Sequence, residues 1–301
     1  MFKTDTQRLK SRFHFPLHIH TATLFIVLTI ALGAGPVWVP YQKNHELIRE
    51  GSTVLYEKVM QKAYMDMKAK YDMAANSVEI MAEGNIANAE NLHQRLKYLP
   101  VISKILKAND AVSGFEVGYA TGDFFIIRSI FNEYMREQFK APDSTIFMVD
   151  NIINISANNK QGIRIYYDKH LNEISRKTLK DLTYDPRVRP WYKLALASDS
   201  FATTNPYLYF FVKKVGITIT LESKSKGTVI AADIALDELS ETLKKNIITP
   251  SAELVLFDDT GKVMAYKQPN KLIVKSFFKV NILAPLALFP LLSLRLNLRI
   301  V

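Results

Sequence analysis

The hydrophobic pattern of the chain begins with an apolar run from Thr21 to Val39, which contains no charged residue in 19 positions. A helix needs ~20 apolar residues to cross the hydrocarbon core of a bilayer. The run therefore predicts a transmembrane helix, preceded by a cytoplasmic lead at residues 1–20. A cleaved signal peptide is the alternative, because the small residues at positions 31–34 suit a cleavage site.

Downstream of this run, an apolar stripe predicts a long amphipathic helix. Apolar residues recur every three or four positions with charged residues between them, which is the spacing of one helix face. The stripe consists of Tyr56, Met60, Tyr64, Met67, Tyr71, Ala74, Val78 and Met81. It either packs on the helix's own domain or forms the seam of a homodimer. A second helical stretch runs from Leu92 to Leu106, with a break at Pro100.

After Asn109 the pattern changes to short β-rich runs separated by turn residues. Strands are predicted at residues 115–119, 124–130, 145–149, 162–167, 207–212, 217–221 and 228–234. A helix is predicted at 236–245, followed by a hairpin at 253–266. Long helices that feed a mostly antiparallel sheet indicate an α+β, PAS-like fold.

The net charge of +10 is concentrated at the two ends of the chain. Residues 1–12 contribute +3 and residues 271–301 contribute +5, which leaves +2 for the rest. A nucleic-acid site needs a basic patch on the folded domain, whereas basic residues beside apolar runs suit the inner membrane face. We therefore expect no nucleic-acid partner. By the positive-inside rule, we expect a single-pass protein of a bacterial inner membrane, with the N-terminus cytoplasmic and the domain periplasmic or extracellular.

Residues 184–192 form the densest cluster of unusual side chains, Tyr-Asp-Pro-Arg-Val-Arg-Pro-Trp-Tyr. Pro186 and Pro190 restrict the backbone, and Pro190 suits the first position of a helix. Arginine, tryptophan and tyrosine are therefore presented together from a rigid turn.

This cluster and four later segments resemble the signature of the double Cache sensor family. The later segments are Asn205-Pro206-Tyr207, Gly216-Ile217-Thr218, residues 232–236 and the hairpin at 257–261. The family comprises PAS-like extracytoplasmic domains of bacterial chemoreceptors, histidine kinases and cyclic-nucleotide enzymes. Residues 207–216 are most similar to sensors joined to class III adenylate or guanylate cyclases. The resemblance implies a small-molecule sensor of a membrane receptor, with no output domain in this chain.

The resemblance also implies a binding site. Six positions of the family's amino-acid-binding motif are occupied here by Tyr184, Arg189, Trp191, Tyr192, Tyr207 and Asp233. Arginine can bind a carboxylate bidentately, while an aspartate and the faces of tyrosines can hold an ammonium group. The implied ligand is an amino acid or another small carboxylate, and no cofactor is expected. The alternative is a ligand-free structural or interaction module, in which Trp191 is a core residue and Arg187 pairs with Asp185.

No catalytic constellation accompanies these residues. The outer region has His45, His93 and His170, but no zinc-binding His-Glu spacing, phosphate loop or Gly-x-Ser-x-Gly sequence. The chain lacks cysteine, which excludes disulfides and thiolate metal sites. We therefore expect neither an enzyme nor a metal site.

The end of the chain departs from the family pattern. We expect the long helices and a membrane-distal lobe at residues 40–248, a remnant of a membrane-proximal lobe at 249–270 and an apolar basic tail at 271–301. Residues 280–294 are mostly apolar but are short for a membrane span and contain Pro285 and Pro290. We expect a truncated or frame-shifted end, and the alternative is a short second membrane segment.

Overall fold

The computed structural model describes residues 16–130, 132–156, 159–212, 214–247, 255–257, 263–266, 273–275 and 281–283. Helices and a large antiparallel sheet make up these residues, so the predicted α+β class is confirmed. The chain divides into two units, residues 1–58 and residues 59–301.

Helix α1 (Leu17–Ala82) contains the predicted membrane segment. Its portion Leu17–Ala34 is long and apolar enough to cross a membrane, and this window lies a few residues before the predicted one. Large apolar side chains in it, such as Leu24 and Phe25, are about 70% exposed. A signal sequence has the same length and composition, so the choice between anchor and signal peptide stays a prediction.

In the second unit, the apolar stripe of α1 packs on its own domain. Its members Met67, Ala74, Val78 and Met81 are buried in one hydrophobic cluster with the sheet. This part of the stripe is therefore not available as a dimer seam.

Two shorter helices follow, α2 (Leu92–Leu96) and α3 (Leu99–Ala108). The predicted break at Pro100 coincides with the first turn of α3. Proline is tolerated there because its missing N–H would have no partner inside the helix.

The remaining elements follow in chain order. They are β1 (Val112–Gly118), β2 (Phe124–Ser129), α4 (Glu133–Phe139), β3 (Phe147–Ser156), β4 (Asn159–Tyr167), β5 (Glu173–Leu179), α5 (Pro190–Leu196), β6 (Ala202–Thr203), β7 (Tyr207–Leu208), β8 (Val215–Glu222), β9 (Val229–Ala235) and α6 (Leu236–Lys244). A short 3-10 helix, Pro186–Val188, precedes α5. Strands β1 to β9 form one sheet in the order β5-β4-β3-β2-β1-β9-β8-β6, and β7 also pairs with β8.

Several elements differ from the sequence prediction. The strand predicted at 207–212 ends at Leu208, after which the backbone turns and the Tyr209 N–H donates to the Lys214 carbonyl oxygen over 2.8 Å. Strand β5 was not predicted, because it lies at the edge of the sheet and carries charged, largely exposed residues. Helix α4 and strand β6 were not predicted either.

Two hairpins lie beyond α6. Strands β10 (Val255–Phe257) and β11 (Val263–Tyr266) form the hairpin predicted at 253–266. Strands β12 (Ile273–Lys275) and β13 (Asn281–Leu283) form a pair that was not predicted. The remaining residues of the predicted tail lie outside the described ranges.

The two faces of the large sheet differ in chemistry. Phe115 and Val117 of β1 face the apolar cluster that α1 and α3 cover. Successive residues of a strand point to opposite faces, so Gly114 and Glu116 face the other side. That second face is covered by the segment from Leu182 to Phe211, through a cluster that includes Tyr184 and Trp191.

Candidate functional site

The segment 184–192 is held by contacts within the turn itself. Asp185 precedes the 3-10 helix, and its Oδ1 accepts from the backbone N–H of Arg187 over 2.9 Å. The same carboxylate binds the Arg187 guanidinium at 3.0 and 2.8 Å. Pro190 is the first residue of α5, as predicted. Arg187 is thus paired within the turn, whereas Arg189 lines a cavity.

Five of the six candidate residues line one cavity between this segment and the sheet. They are Tyr184, Arg189, Trp191, Tyr207 and Asp233. The cavity encloses about 230 Å³, including its open mouth. Its lining also contains five residues that the sequence prediction did not name, Glu116, Arg128, Tyr209, Phe210 and Phe211.

Tyr192, the sixth candidate, is not part of this lining. Its hydroxyl donates to the carbonyl oxygen of Gly227. A β-carbon placed on Gly118 would lie 2.9 Å from the Tyr192 ring and 2.7 Å from the Trp191 ring. The absence of a side chain at Gly118 therefore lets both aromatic rings approach β1.

Gly114 lies on the cavity face of the sheet, between Arg128 and Asp233. In the register of the strands it pairs with Arg128 of β2 on one side and with Asp233 of β9 on the other. A β-carbon at this position would lie 3.2 Å from Cδ1 of Ile126 and 3.3 Å from Cγ of Arg128. The sheet thus presents a guanidinium and a carboxylate on either side of a residue without a side chain.

Arg128 is 5% exposed. Among the described residues, its Nη1 has no hydrogen-bond partner, and it lies 3.7 Å from Oδ2 of Asp150. Both carboxylate oxygens of Asp150 already accept from Arg164, over 2.6 Å each. The Arg128 guanidinium lies 5.1 Å from the ring centroid of Phe211, which gives it a cation–π contact instead.

Arg189 approaches the cavity from the opposite side. Its guanidinium carbon lies 5.7 Å from the ring centroid of Tyr184 and 5.5 Å from that of Phe210. The Tyr184 ring also contacts the rings of Phe124 and Phe211, with centroid distances of 4.5 and 4.8 Å. Aromatic faces thus position Arg189 and leave its N–H groups suited to an anion.

A directed hydrogen-bond chain ends on Asp233. The Thr218 hydroxyl donates to Oδ1 of Asp233 over 2.7 Å. A threonine hydroxyl has one proton, so the Tyr207 hydroxyl, 2.7 Å from Oγ1 of Thr218, is the donor in that contact. Tyr207 and Thr218 therefore both stabilise negative charge on Asp233.

Glu116 and Asp233 form a buried carboxyl pair. Burial raises the pKa of Glu116 well above its usual range, and the neighbouring Asp233 charge raises it further. Burial also raises the pKa of Asp233, while its bonds from Thr218 and Glu116 act in the opposite direction. These effects favour a protonated Glu116 beside an ionised Asp233, so we assign one negative charge to the pair.

The newly found residues carried a weak sequence signal. Glu116 and Arg128 are charged residues inside strands that are otherwise apolar and buried, a position that charged residues rarely take without a partner. Phe210 and Phe211 were assigned to a strand that ends earlier. Within the described ranges, no three His, Asp or Glu side chains group in a way that could hold a metal ion.

Comparisons with known proteins find similarity over parts of the chain. No protein-family model matches it. Adenylate cyclase 1 of Rhizobium meliloti is 23% identical over 152 residues, which is 50% of this chain and 23% of that protein. Methyl-accepting chemotaxis protein McpG of Pseudomonas putida is 33% identical over 94 residues, which is 31% of this chain and 15% of that protein.

Among solved structures, the chain is similar to the ligand-binding domain of the Pseudomonas fluorescens chemoreceptor CtaA in complex with L-serine. The two are 20% identical, the match covers 72% of each chain, and the TM-score is 0.43. The chain spans less than a quarter of the length of the curated relatives it matches. It is therefore similar, over part of its length, to bacterial signalling proteins.

Proposed function

We propose that residues 40–248 form the extracytoplasmic sensor domain of a membrane signalling receptor, and that this domain binds a small molecule in the cavity beneath residues 184–192. One observation supports this most strongly: two guanidinium groups and two carboxyl groups line one cavity walled by aromatic rings, and within the described ranges Nη1 of Arg128 has no hydrogen-bond partner. A buried cation without its full set of partners costs free energy. A ligand that supplies those partners is the simplest reason for such an arrangement.

The charges around the cavity favour a small zwitterionic ligand. Arg189 and Asp233 both line the cavity. A molecule with few heavy atoms and opposite charges at its two ends, such as an amino acid, matches these charges. We propose that Arg189 binds its carboxylate and that Asp233, with the ring of Tyr207, holds its ammonium group.

The candidate residues that would not bind the charged groups of the ligand then shape or stabilise the cavity. Trp191 is 1% exposed and forms part of the wall. Tyr192 lies outside the lining, so we assign it to fixing α5 against Gly118 rather than to ligand contact.

The signalling role is supported by the kinds of protein that this chain resembles. McpG is a methyl-accepting chemotaxis protein, and the Rhizobium meliloti relative is an adenylate cyclase. The matches cover only 152 and 94 residues of this chain, so the receptor's output is itself a proposal. An extracytoplasmic binding domain agrees with the basic residues before the apolar helix.

The proposed orientation can be measured with reporters. A reporter that is active only in the periplasm, fused after Ser52, is expected to be active. A reporter that is active only in the cytoplasm, fused at the same point, is expected to be silent. The reverse result would contradict the orientation.

The binding function can be tested by calorimetric titration of the full chain in detergent with a panel of amino acids and small carboxylates. We expect at least one member of the panel to bind. Removal of one partner of a buried charge pair costs ~2–5 kcal/mol, so Arg189→Ala is expected to weaken binding by ~30-fold or more.

Arg176→Ala is the matched control, because Arg176 is an exposed arginine paired with Glu173 on the edge strand β5. It is expected to bind the ligand as the unaltered chain does. Unchanged affinity in Arg189→Ala would contradict the assignment of the carboxylate site. Failure of the whole panel to bind would instead favour the ligand-free structural module.

A further inference from the structure

We infer that the ligand of this cavity carries a second anionic group, in addition to the carboxylate assigned to Arg189, and that Arg128 binds this second group. The inference rests on the proposed function, because it specifies the ligand class of the same cavity. It identifies the ligand as a small molecule with two carboxylates, or with a carboxylate and another oxyanion.

The charges around the cavity do not balance. Arg164 and Asp150 neutralise each other through two hydrogen bonds of 2.6 Å. Arg128 and Arg189 remain as two positive charges, since arginine does not lose its proton in proteins. They face the Glu116 and Asp233 pair, in which one proton is shared.

Two positive charges against one negative charge leave the site with one positive charge in excess. A neutral amino acid brings one carboxylate and one ammonium, so the excess remains. An amino acid with a second carboxylate brings a net charge of −1 and cancels it.

Among the described residues, no acceptor forms a hydrogen bond with Nη1 of Arg128. The residues paired directly with Arg128 on the neighbouring strands are Met148 and Gly114, and neither has a side-chain oxygen. The nearby carboxylate of Asp150 is oriented toward Arg164 and leaves Nη1 of Arg128 at 3.7 Å. The guanidinium is nevertheless held in place, because it lies over the rings of Phe139 and Phe211, at 5.7 and 5.1 Å.

The two arginines lie on different elements of the fold. Arg128 belongs to the sheet, and Arg189 belongs to the segment above it. Asp233 lies across Gly114 from Arg128 in the strand register. The cavity therefore offers two separate anion sites and one cation site, which match the three charged groups of an acidic amino acid.

The test is a calorimetric titration of the full chain in detergent at pH 7 with two matched pairs of probes, glutamate with glutamine and aspartate with asparagine. Each pair differs only in a carboxylate that is replaced by an amide. Hydrogen bonds to a charged partner contribute ~1.5–3 kcal/mol, so we expect at least one acidic probe to bind ~10-fold or more tightly than its amide.

Arg128→Gln is expected to abolish this preference by weakening the acidic probe while leaving the amide within about threefold. Arg128→Lys keeps the charge and is expected to retain part of the preference. Because Trp191 lines the cavity, its fluorescence checks that each variant keeps the folded site.

Three results would decide whether Arg128 binds a second anionic group. An amide that binds as tightly as its acid would overturn the inference and leave the proposed sensor function intact. Equal weakening of the binding of both probes in a folded Arg128→Gln chain would also overturn it, because Arg128 would then support the site without binding the second anion. If Arg128→Gln does not fold, the comparison of acid with amide in the unaltered chain still decides.

Discussion

The hydroxyl of Thr218 donates a hydrogen bond to the carboxylate of Asp233 across two paired strands, over 2.7 Å. The two residues stand directly opposite each other in the register of β8 and β9. This bond lowers the pKa of Asp233 against the effect of burial. Thr218 therefore helps to maintain the negative charge that we assign to ammonium binding.

Thr218→Val is expected to destabilise the domain. Valine keeps the shape of threonine, but it removes the donor to Asp233 and the acceptor of the Tyr207 hydroxyl. Leaving buried polar groups without partners costs ~1–3 kcal/mol. Thermal or urea unfolding of the full chain in detergent, followed by circular dichroism, measures this loss.

Thr220→Val is the matched control for this substitution. Thr220 is buried on the same strand, but its hydroxyl lies 3.5 Å from the carbonyl oxygen of Ile230 and makes only a weak bond. We expect a clearly smaller loss of stability. Equal losses in the two variants would show that the bond between Thr218 and Asp233 contributes little.

Gly216→Ala is expected to displace Tyr209 from the cavity wall. Gly216 lies under the Tyr209 ring, and a β-carbon there would overlap the ring. The Tyr209 hydroxyl reaches the carbonyl oxygens of Ile217 and Ile234, so the ring has little freedom to move aside. Overpacking in a well-packed region costs ~1–3 kcal/mol, and ligand affinity should fall as well.

Unfolding experiments on Gly216→Ala can be compared with Gly51→Ala. Gly51 lies within α1, and apart from its own turn of helix no atom of the described residues lies within 4 Å of the position that its β-carbon would take. The helix propensity of alanine makes that change neutral or stabilising. If both alanine variants keep full stability and ligand binding, Tyr209 is not fixed as the structure indicates.

Much of the fold follows from local patterns in the sequence. The apolar stripe that includes Met67, Ala74 and Val78 predicted the face of α1 that is buried against the sheet. The β-rich runs at 115–119 and 124–130 predicted strands β1 and β2, which pair with each other. These elements are predictable because their apolar positions repeat with the period of a helix or lie in continuous buried strands.

The strand and the site residues that the sequence did not predict depend on neighbours that are distant in the chain. Strand β5 pairs with β4 at the sheet edge and carries too few apolar residues to show a periodic pattern. Glu116 and Arg128 belong to the site because the register places them around Gly114 beside Asp233, which is more than 100 positions away. The motif at 184–192 could predict its own side chains, but it could not predict which strand residues lie opposite them.

Glu116→Gln is expected to change how the stability of the ligand-free domain depends on pH. Burial raises the pKa of Glu116, with a further contribution from Asp233, while Arg128 and Arg189 act against it. The folded chain therefore keeps a proton that the unfolded chain releases at its ordinary pKa of ~4.3.

A raised carboxyl pKa stabilises the fold fully below the unfolded value, and this contribution is lost as pH rises through the folded value. The slope in that window is ~1.4 kcal/mol per pH unit for each such group. Glutamine has the shape of the neutral acid and can donate to Asp233 in its place. The variant should thus resemble the unaltered chain near pH 4 and be the more stable of the two at pH 8.

Unfolding temperatures measured from pH 4 to pH 8 in detergent test this expectation. Glu173→Gln is the control. The ion pair with Arg176 lowers the pKa of Glu173, so removal of this carboxylate is expected to change the pH dependence of stability in the opposite direction. A Glu116→Gln chain whose unfolding temperature follows the same pH curve as the unaltered chain would show that Glu116 does not hold the shared proton. The charge balance that points to an acidic ligand would then have to be revised, because Glu116 and Asp233 would carry two negative charges against Arg128 and Arg189.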